Sequence, residues 1–182
     1  VPTDEMPPKP GAVFADRYRL DQAISKGAAT TIFDAHDALT GERVAVKVYD
    51  AGAEGSRLVA EHNVLIAIGH EGIVRVRHVD QHGSRWYLVS EFVDGPDLRS
   101  LIVDAKTVTE PVAAALVVKL LDALEEVHPN MAALSQILAD DSERTDEQAG
   151  RLNDLRESGF AHRDINPENI ILHPERGPVL VD

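Results

Sequence analysis

The order of the hydrophobic patterns along the 182 residues constrains the fold more than any other feature of the sequence. The first half contains short runs rich in β-branched residues, which are typical of strands, separated by turn residues. The predicted strands are Thr31–His36, Arg43–Tyr49, Ile73–Val79 and Trp86–Phe92, with turns at Thr40–Glu42 and Gly83–Ser84. Two further short strands are predicted near the end, at Ile170–Leu172 and Val179–Val181.

Helical spacing of apolar residues marks much of the remaining chain. One helix is predicted within the β-rich half, at residues 53–68, and two follow it, at Leu98–Val103 and Glu110–Val127. Residues 129–158 are also helix-prone, with two amphipathic segments and a polar bend between them. The sequence therefore predicts an α+β fold in which a β-rich part precedes a mainly α part.

Charge and composition limit the partners and compartments that fit this chain. Its formal net charge is -13 and its pI is about 4.9, so nucleic acid and anionic membranes, which are also negative, are not expected partners. The absence of cysteine excludes disulfides and thiolate metal sites. No apolar run approaches the ~18–20 residues of a membrane span, and the first residues have no signal-peptide design. We therefore expect a cytoplasmic protein.

The most specific motif is His162–Asn169, which reads His-Arg-Asp-Ile-Asn-Pro-Glu-Asn. In phosphoryl transfer, one carboxylate must meet the acceptor hydroxyl, and an amide oxygen a few residues on must reach a metal that bridges the phosphates. Asp164 and Asn169 have the residue types and the spacing for these two roles. The segment resembles the catalytic loop H-R-D-x-x-x-x-N of protein kinases.

Two elements of the β-rich half extend the resemblance to the protein kinase family. Val44–Lys47 resembles the strand whose lysine pairs with the α- and β-phosphates of the nucleotide. Strand alternation places Ala45 and Lys47 on one face, so that Ala45 can cover the adenine while Lys47 reaches the phosphates. Glu61, within the helix predicted at residues 53–68, resembles the glutamate that holds this lysine.

The hinge and the floor of the nucleotide pocket follow from the same resemblance. Tyr87–Gly95 resembles the fifth strand and the hinge of a kinase, with Ser90 as the gatekeeper. The Glu91 carbonyl and the Val93 N–H are then expected to pair with the adenine edge. Ile171, two residues after the catalytic loop, is expected to form the floor of the pocket.

The resemblance covers roughly Phe14 to Asp182 and implies a eukaryotic-type (Hanks-type) serine/threonine protein kinase domain of bacterial type. Val179–Asp182 resembles the strand that ends in the aspartate of the D-F-G motif, so Asp182 and Asn169 are expected to hold Mg²⁺. The implied activity is transfer of the γ-phosphate of ATP to a hydroxyl of a protein substrate, with Asp164 orienting that hydroxyl.

The implied architecture is a two-lobed kinase fold with a partial C-lobe. Residues 1–12, rich in proline and acids, are predicted to be a linker or tail, residues 13–93 the N-lobe and hinge, and residues 94–182 a partial C-lobe with a helical insert at about 129–159. Because the chain starts without methionine and stops at Asp182, we expect a piece of a longer protein with further domains, inactive as an isolated fragment.

The glycine-rich loop departs from the family pattern. Against G-x-G-x-x-G-x-V, the segment Ser25–Ile32 keeps only the middle glycine, Gly27, and Ser25 and Thr30 occupy the other glycine positions. If either position needs a positive φ, a residue other than glycine costs about 1–2 kcal/mol there. Such a cost would weaken nucleotide binding, although backbone N–H groups can still cradle phosphates and Ile32 keeps the apolar cover over the base.

Asn166 is a second departure, because most serine/threonine kinases have a lysine there that helps neutralise the transferred phosphate. We place Asn166 among the catalytic residues, and its identity leaves the acceptor class and the rate open.

The insert is a third departure and is interpreted as a helical hairpin, either a spacer or a docking surface. In this respect the chain resembles bacterial kinases attached to phage-defence systems.

Two alternatives to an active protein kinase remain at this point. The degenerate glycine loop and Asn166 favour a pseudokinase, which would act as a nucleotide-binding or interaction domain. Small-molecule kinases of the aminoglycoside type share an H-x-D-x-x-x-x-N loop. Arg163, Pro167 and Glu168 favour the protein-kinase branch over these enzymes.

Overall fold

The computed structural model describes residues 8–53, 69–105, 108–127 and 165–181. These residues form eight strands, two α-helices and one 3₁₀ turn. In chain order they are β1 (Val13–Phe14), β2 (Tyr18–Lys26), β3 (Thr30–Asp37), β4 (Arg43–Tyr49), β5 (Val76–His82), β6 (Arg85–Glu91), α1 (Leu98–Ala105), α2 (Glu110–Val127), the 3₁₀ turn (Pro167–Asn169), β7 (Ile170–His173) and β8 (Gly177–Leu180). No helix in these ranges is long and apolar enough to cross a membrane.

The chain divides into two compact units. The first contains the residues up to Gly69 together with Val74–Val93, and the second contains His70–Ile73 and Asp94–Asp182. The first unit is built on a six-stranded sheet in the order β1-β2-β3-β4-β6-β5, in which every pair of neighbours is antiparallel. The second unit contains both helices and the β7–β8 hairpin.

The central strand β4 shows why the sheet of the first unit is stable. Its valines Val44, Val46 and Val48 are buried and alternate with residues on the opposite face. They pack with buried aromatic and aliphatic side chains of the neighbouring strands, such as Phe33 and Val89. Burying a side chain of this size contributes about 1.5–3 kcal/mol, so the alternation fixes which face of β4 points away from the core.

A buried ion pair connects the start of β2 to the end of β3. Asp37 is 1% exposed, and the Arg17 guanidinium donates to its two carboxylate oxygens at 2.9 and 2.6 Å. The Leu39 N–H donates to the same carboxylate at 3.0 Å. The hydrogen bonds from Arg17, more than any other contact, hold the pKa of Asp37 well below its usual range.

In the second unit, the loop at residues 70–73 lies along β8. The Leu180 N–H donates to the Gly72 carbonyl at 2.9 Å, and Ile73 forms a parallel bridge with Leu180. Arg176, in the turn between β7 and β8, donates to the carbonyls of Glu71 at 2.9 Å and Ile73 at 3.3 Å. Residues 70–73 therefore extend the two-stranded hairpin on the side of β8.

Helix α2 packs against this loop through a close contact. A Cβ placed on Gly72 would lie 2.8 Å from the Cβ of Ala123, so only glycine fits at this crossing without a shift. Other apolar side chains of α2 are exposed, namely Val112, Val117, Val118 and Leu121.

Most of the predicted elements within these ranges are confirmed. β4 and α2 have the predicted bounds, while β3, β6, α1, β7 and β8 differ from the predicted ranges by one or two residues at their ends. The strand predicted at Ile73–Val79 is wrong at its start, since β5 begins at Val76 and residues 70–73 join the second unit instead. Gly11 and Ala12, predicted to belong to the tail, exchange hydrogen bonds with Leu20. The helices predicted at 53–68 and 129–158 lie outside the described residues apart from position 53.

Candidate active site

Four of the predicted pocket residues lie on one face of the sheet in the first unit. Ile32 of β3 pairs directly with Lys47 of β4, and Ala45 of β4 pairs directly with Ser90 of β6. Directly paired residues of antiparallel strands project to the same side, as do residues two apart along one strand. The face opposite the valine core therefore presents Ile32, Ala45, Lys47 and Ser90 together.

The position of Lys47 is set by the strand that carries it. β4 lies between β3 and β6, so its backbone is hydrogen-bonded on both sides. Lys47 is partly buried, and its Nζ lies 5.6 Å from the centroid of the Tyr49 ring on the same face. The predicted partner of this lysine, Glu61, lies outside the described residues.

The loop between β2 and β3 has ordinary backbone geometry despite its missing glycines. Ser25 pairs with Ile32, and the Gly27 N–H donates to the Thr30 carbonyl at 2.9 Å. Across the described ranges, Ala15 and Asp16 are the non-glycine residues with positive φ, so Ser25 and Thr30 are not strained. The conformational cost considered for these two positions therefore does not arise, and this part of the departure from the family pattern is harmless to the loop.

The end of β6 carries the predicted hinge. Ser90 is 6% exposed, and its hydroxyl donates to the Glu91 carbonyl at 3.2 Å. The Glu91 N–H donates to the Arg75 carbonyl at 3.0 Å, and the Arg75 N–H donates to the Glu91 side chain at 3.0 Å. Val93 is buried. The roles predicted for Glu91 and Val93 toward adenine stay predictions.

In the second unit, Asn166 begins the turn that carries the predicted metal ligand Asn169. Its side-chain oxygen accepts hydrogen bonds from the Glu168 N–H at 2.9 Å and the Asn169 N–H at 3.2 Å. This is an N-cap with Pro167 at the first position of the turn, and the Asn169 N–H also donates to the Asn166 carbonyl at 3.1 Å. The sequence analysis missed this role, although the Asn-Pro pair is the signal that indicates it.

The β7–β8 hairpin begins directly after the predicted metal ligand Asn169. The Val181 N–H donates to the Asn169 carbonyl at 2.9 Å, so Asn169 lies beside the residue that precedes Asp182. Amide and carboxylate oxygens are hard donors that suit Mg²⁺. Asp182 and the predicted catalytic Asp164 themselves lie outside the described residues. Within the described ranges, no cluster of three or more His, Asp or Glu residues could hold a metal ion.

Ile171, predicted to form the floor of the pocket, lies in the same hairpin. It pairs with Val179 and forms an isolated bridge with Asp97, the residue before α1. The Leu172 N–H donates to the Pro96 carbonyl at 2.8 Å. The segment that precedes α1 is therefore attached to β7, and Ile171 lies between that segment and β8.

Comparison with known proteins decides the family. The sequence model of the family described as the protein kinase domain matches residues 18–134. This range contains the β2–β3 loop, Lys47 and the hinge, and it ends before the catalytic loop. The chain belongs to the protein kinase domain family. The predicted fold class and the predicted resemblance to eukaryotic-type serine/threonine kinases are thereby confirmed.

Named relatives come from bacteria and from eukaryotes. The chain is 26% identical to the probable serine/threonine-protein kinase PknB of Lactococcus lactis, over 89% of this chain and 22% of that protein. It is 27% identical to the serine/threonine-protein kinase PkaA of Streptomyces coelicolor, over 91% of this chain and 29% of that protein. CBL-interacting protein kinase 30 of Oryza sativa is also 27% identical, over 88% of this chain and 29% of that protein. The chain spans less than a third of the length of these relatives.

Proposed function

We propose that this kinase domain binds Mg-ATP and that the protein carrying it transfers the γ-phosphate to a serine or threonine hydroxyl of a protein substrate. The observation that carries the proposal is the common sheet face that presents Ile32, Ala45, Lys47 and Ser90. On this face, the apolar Ile32 and the small Ala45 suit a planar base, and the cation of Lys47 suits phosphates. Ser90 is the buried gatekeeper.

In this proposal, each residue of the first unit meets a different part of the nucleotide. Ile32 and Ala45 cover the adenine, and the Glu91 carbonyl and the Val93 N–H pair with its edge. Lys47 donates to the α- and β-phosphates and compensates their charge.

The transfer step forms a bond between the acceptor oxygen and the γ-phosphorus and breaks the bond between that phosphorus and the β,γ-bridging oxygen. Asp164 orients the acceptor hydroxyl and accepts its proton, and ADP leaves with the bridging oxygen. Mg²⁺ held by Asn169 and Asp182 would neutralise the negative charge on the β- and γ-phosphates. Asn166 keeps the backbone of the catalytic loop in the turn from which Asn169 projects.

Nucleotide binding by the full-length protein tests the first half of the proposal. We expect Mg-ATP to bind the natural protein and to bind the Lys47→Met variant more weakly, because the variant lacks the cation that pairs with the α- and β-phosphates. The kcat of the variant should fall about 10²–10³-fold, the usual effect of removing one well-placed electrostatic group. Arg19→Met is the matched control, because Arg19 is 61% exposed, pairs with the exposed Asp21 and belongs to β2, which β3 separates from β4. Equal ATP affinity in the natural protein and in Lys47→Met would contradict the proposal.

A pseudokinase is the competing function, and Asn166 in place of the usual lysine is the observation that favours it. The other argument for it, the degenerate glycine loop, involves no backbone strain at Ser25 or Thr30. The two functions differ in one outcome, because a pseudokinase would bind ATP without transferring phosphate.

A further inference from the structure

The guanidinium of Arg43 stacks on the ring of Phe92. The Arg43 Cζ lies 3.7 Å from the ring centroid, a distance typical of cation–π contact. Phe92 is the residue between Glu91 and Val93, the two positions assigned above to the adenine edge. Arg43 is the first residue of β4, two positions before Ala45 on the same face.

Arg43 is itself held in a fixed orientation. Its Nε and Nη2 donate to the two oxygens of Asp34, each at 2.9 Å, which is a bidentate pair. Asp34 is 4% exposed and also accepts a hydrogen bond from the Gln22 side chain at 3.2 Å. A buried carboxylate is costly unless it is paired, so Asp34 fixes the plane of the guanidinium rather than merely attracting it.

This network lies next to the residues that would surround the base. Asp34 pairs directly with Ala45 across β3 and β4, and Ala45 pairs directly with Ser90 across β4 and β6. The hydrogen bonds of Arg43, before any other contact, lower the pKa of Asp34, so the pair stays ionised at neutral pH. An ion pair with a buried carboxylate and a partly exposed arginine is thus connected to the hinge through the ring of Phe92.

We propose that Arg43 is a positioning residue for the hinge segment Glu91–Val93 and thereby a determinant of selectivity for the nucleotide base. The inference rests on the proposed function, since it presumes that the hinge receives the base. Stacking on Phe92 limits how far the backbone of the hinge moves relative to Ala45, and this distance sets which hydrogen-bonding edge a base can present. Because the network reaches the hinge through Phe92, we expect it to affect recognition of the base more than binding of the phosphates.

The test compares ATP with GTP, which share their phosphates and differ in the base, on the full-length protein with Mg²⁺. Arg43→Met keeps the aliphatic stem and removes the guanidinium, whereas Phe92→Leu removes the ring and leaves the Arg43–Asp34 pair intact. We expect each variant to reduce the ratio of ATP affinity to GTP affinity about two- to fivefold, the equivalent of one cation–π contact. The double variant should reduce the ratio no further than either single change, because both remove the same contact.

Arg19→Met is the control for the loss of an arginine from the same sheet, and its affinity ratio should match that of the natural protein. Equal loss of ATP and GTP affinity, or an unchanged ratio in Phe92→Leu, would overturn the inference even if Arg43→Met failed to fold, while ATP binding by the natural protein would still support the proposed function. Failure of the natural protein to bind ATP would overturn both.

Discussion

Asn166 illustrates how one side chain shapes the catalytic loop. Its amide oxygen caps the turn from Pro167 to Asn169 and accepts hydrogen bonds from the N–H groups of Glu168 and Asn169, of which the second also donates to the Asn166 carbonyl. A lysine, the usual residue of serine/threonine kinases at this position, has no acceptor and could not form this cap. The chain therefore has a structural reason for asparagine at a position where the family usually has a charge.

Replacing Asn166 separates the cap from the chemistry. Asn166→Ala should lower the free energy of unfolding by about 1 kcal/mol and speed the exchange of the Glu168 amide hydrogen, because it removes the acceptor of that N–H. The Asn169 amide hydrogen should be less affected, because it keeps the Asn166 carbonyl as an acceptor. Asn166→Asp should keep both properties close to those of the natural protein, since aspartate caps equally well. Hydrogen exchange followed by mass spectrometry gives the measurement, and equal protection in Asn166→Ala would contradict the capping role.

At the scale of the elements, the sequence predicts the bounds of β4 but not the start of β5. The alternating valines of β4 predict both ends of that strand correctly, because the valines recur every second residue and are the buried positions of the strand. The start of β5 is not predictable in this way, since Ile73 and Val74 continue the apolar pattern. Arg176 and Leu180, more than 100 residues later, bind the preceding loop to the second unit. Such long-range contacts leave no local signal.

Gly95 joins the hinge to α1 and provides a sharp test of these connections. Its φ is +143°, and a Cβ there would lie 2.3 Å from the Leu172 carbonyl oxygen of β7. Gly95→Ala should therefore destabilise the protein by more than the roughly 1–2 kcal/mol that a strained φ alone costs. Gly52→Ala is the matched control, because Gly52 has φ +95° and open space around its Cα. Chemical denaturation gives both values, and equal losses would show that the contact with Leu172 is unimportant.

At the scale of the whole molecule, acidic side chains dominate the electrostatics. The formal net charge is -13, yet the least exposed aspartates of the first unit are each paired with an arginine, as in Arg17–Asp37 and Arg43–Asp34. The pKa of each of these carboxyls is lowered, chiefly by hydrogen bonds from its arginine. A lowered pKa in the folded state contributes stability above the unfolded pKa, about 3.9 for aspartate, and this contribution is lost as the pH falls below it.

Asp37 lets the pH dependence be assigned to one pair. Between pH 7 and pH 3 the natural protein should lose stability as its paired aspartates take up protons on unfolding. Asp37→Asn should be less stable at pH 7 by about 1.5–3 kcal/mol, the contribution of charge-assisted hydrogen bonds, and should lose less on acidification. Urea midpoints followed by the fluorescence of Trp86, the single tryptophan and part of the same unit, give the comparison. Parallel pH profiles for the two proteins would assign the acid sensitivity elsewhere.

The sequence predicts which residues form the candidate site, but not the contacts that hold those residues in place. The catalytic loop, Lys47 and the hinge follow from residue types at fixed spacings, which a linear motif records. The Asp34–Arg43–Phe92 network depends on which strands are neighbours and in which register, and no spacing along the chain encodes that. The cap at Asn166 lies between these cases, because its Asn-Pro signal is local but coincides with a catalytic motif.

The central claim is that this domain belongs to an active protein kinase, and phosphate transfer tests it most directly. The full-length protein is incubated with Mg²⁺ and ATP labelled in its γ-phosphate, together with a mixture of candidate protein substrates, and label on serine and threonine is measured. We expect Mg²⁺-dependent label that falls at least about 10²-fold in Asp164→Asn, which removes the residue that accepts the proton. A natural protein that binds ATP but labels no more protein than Asp164→Asn would contradict the account and establish a pseudokinase.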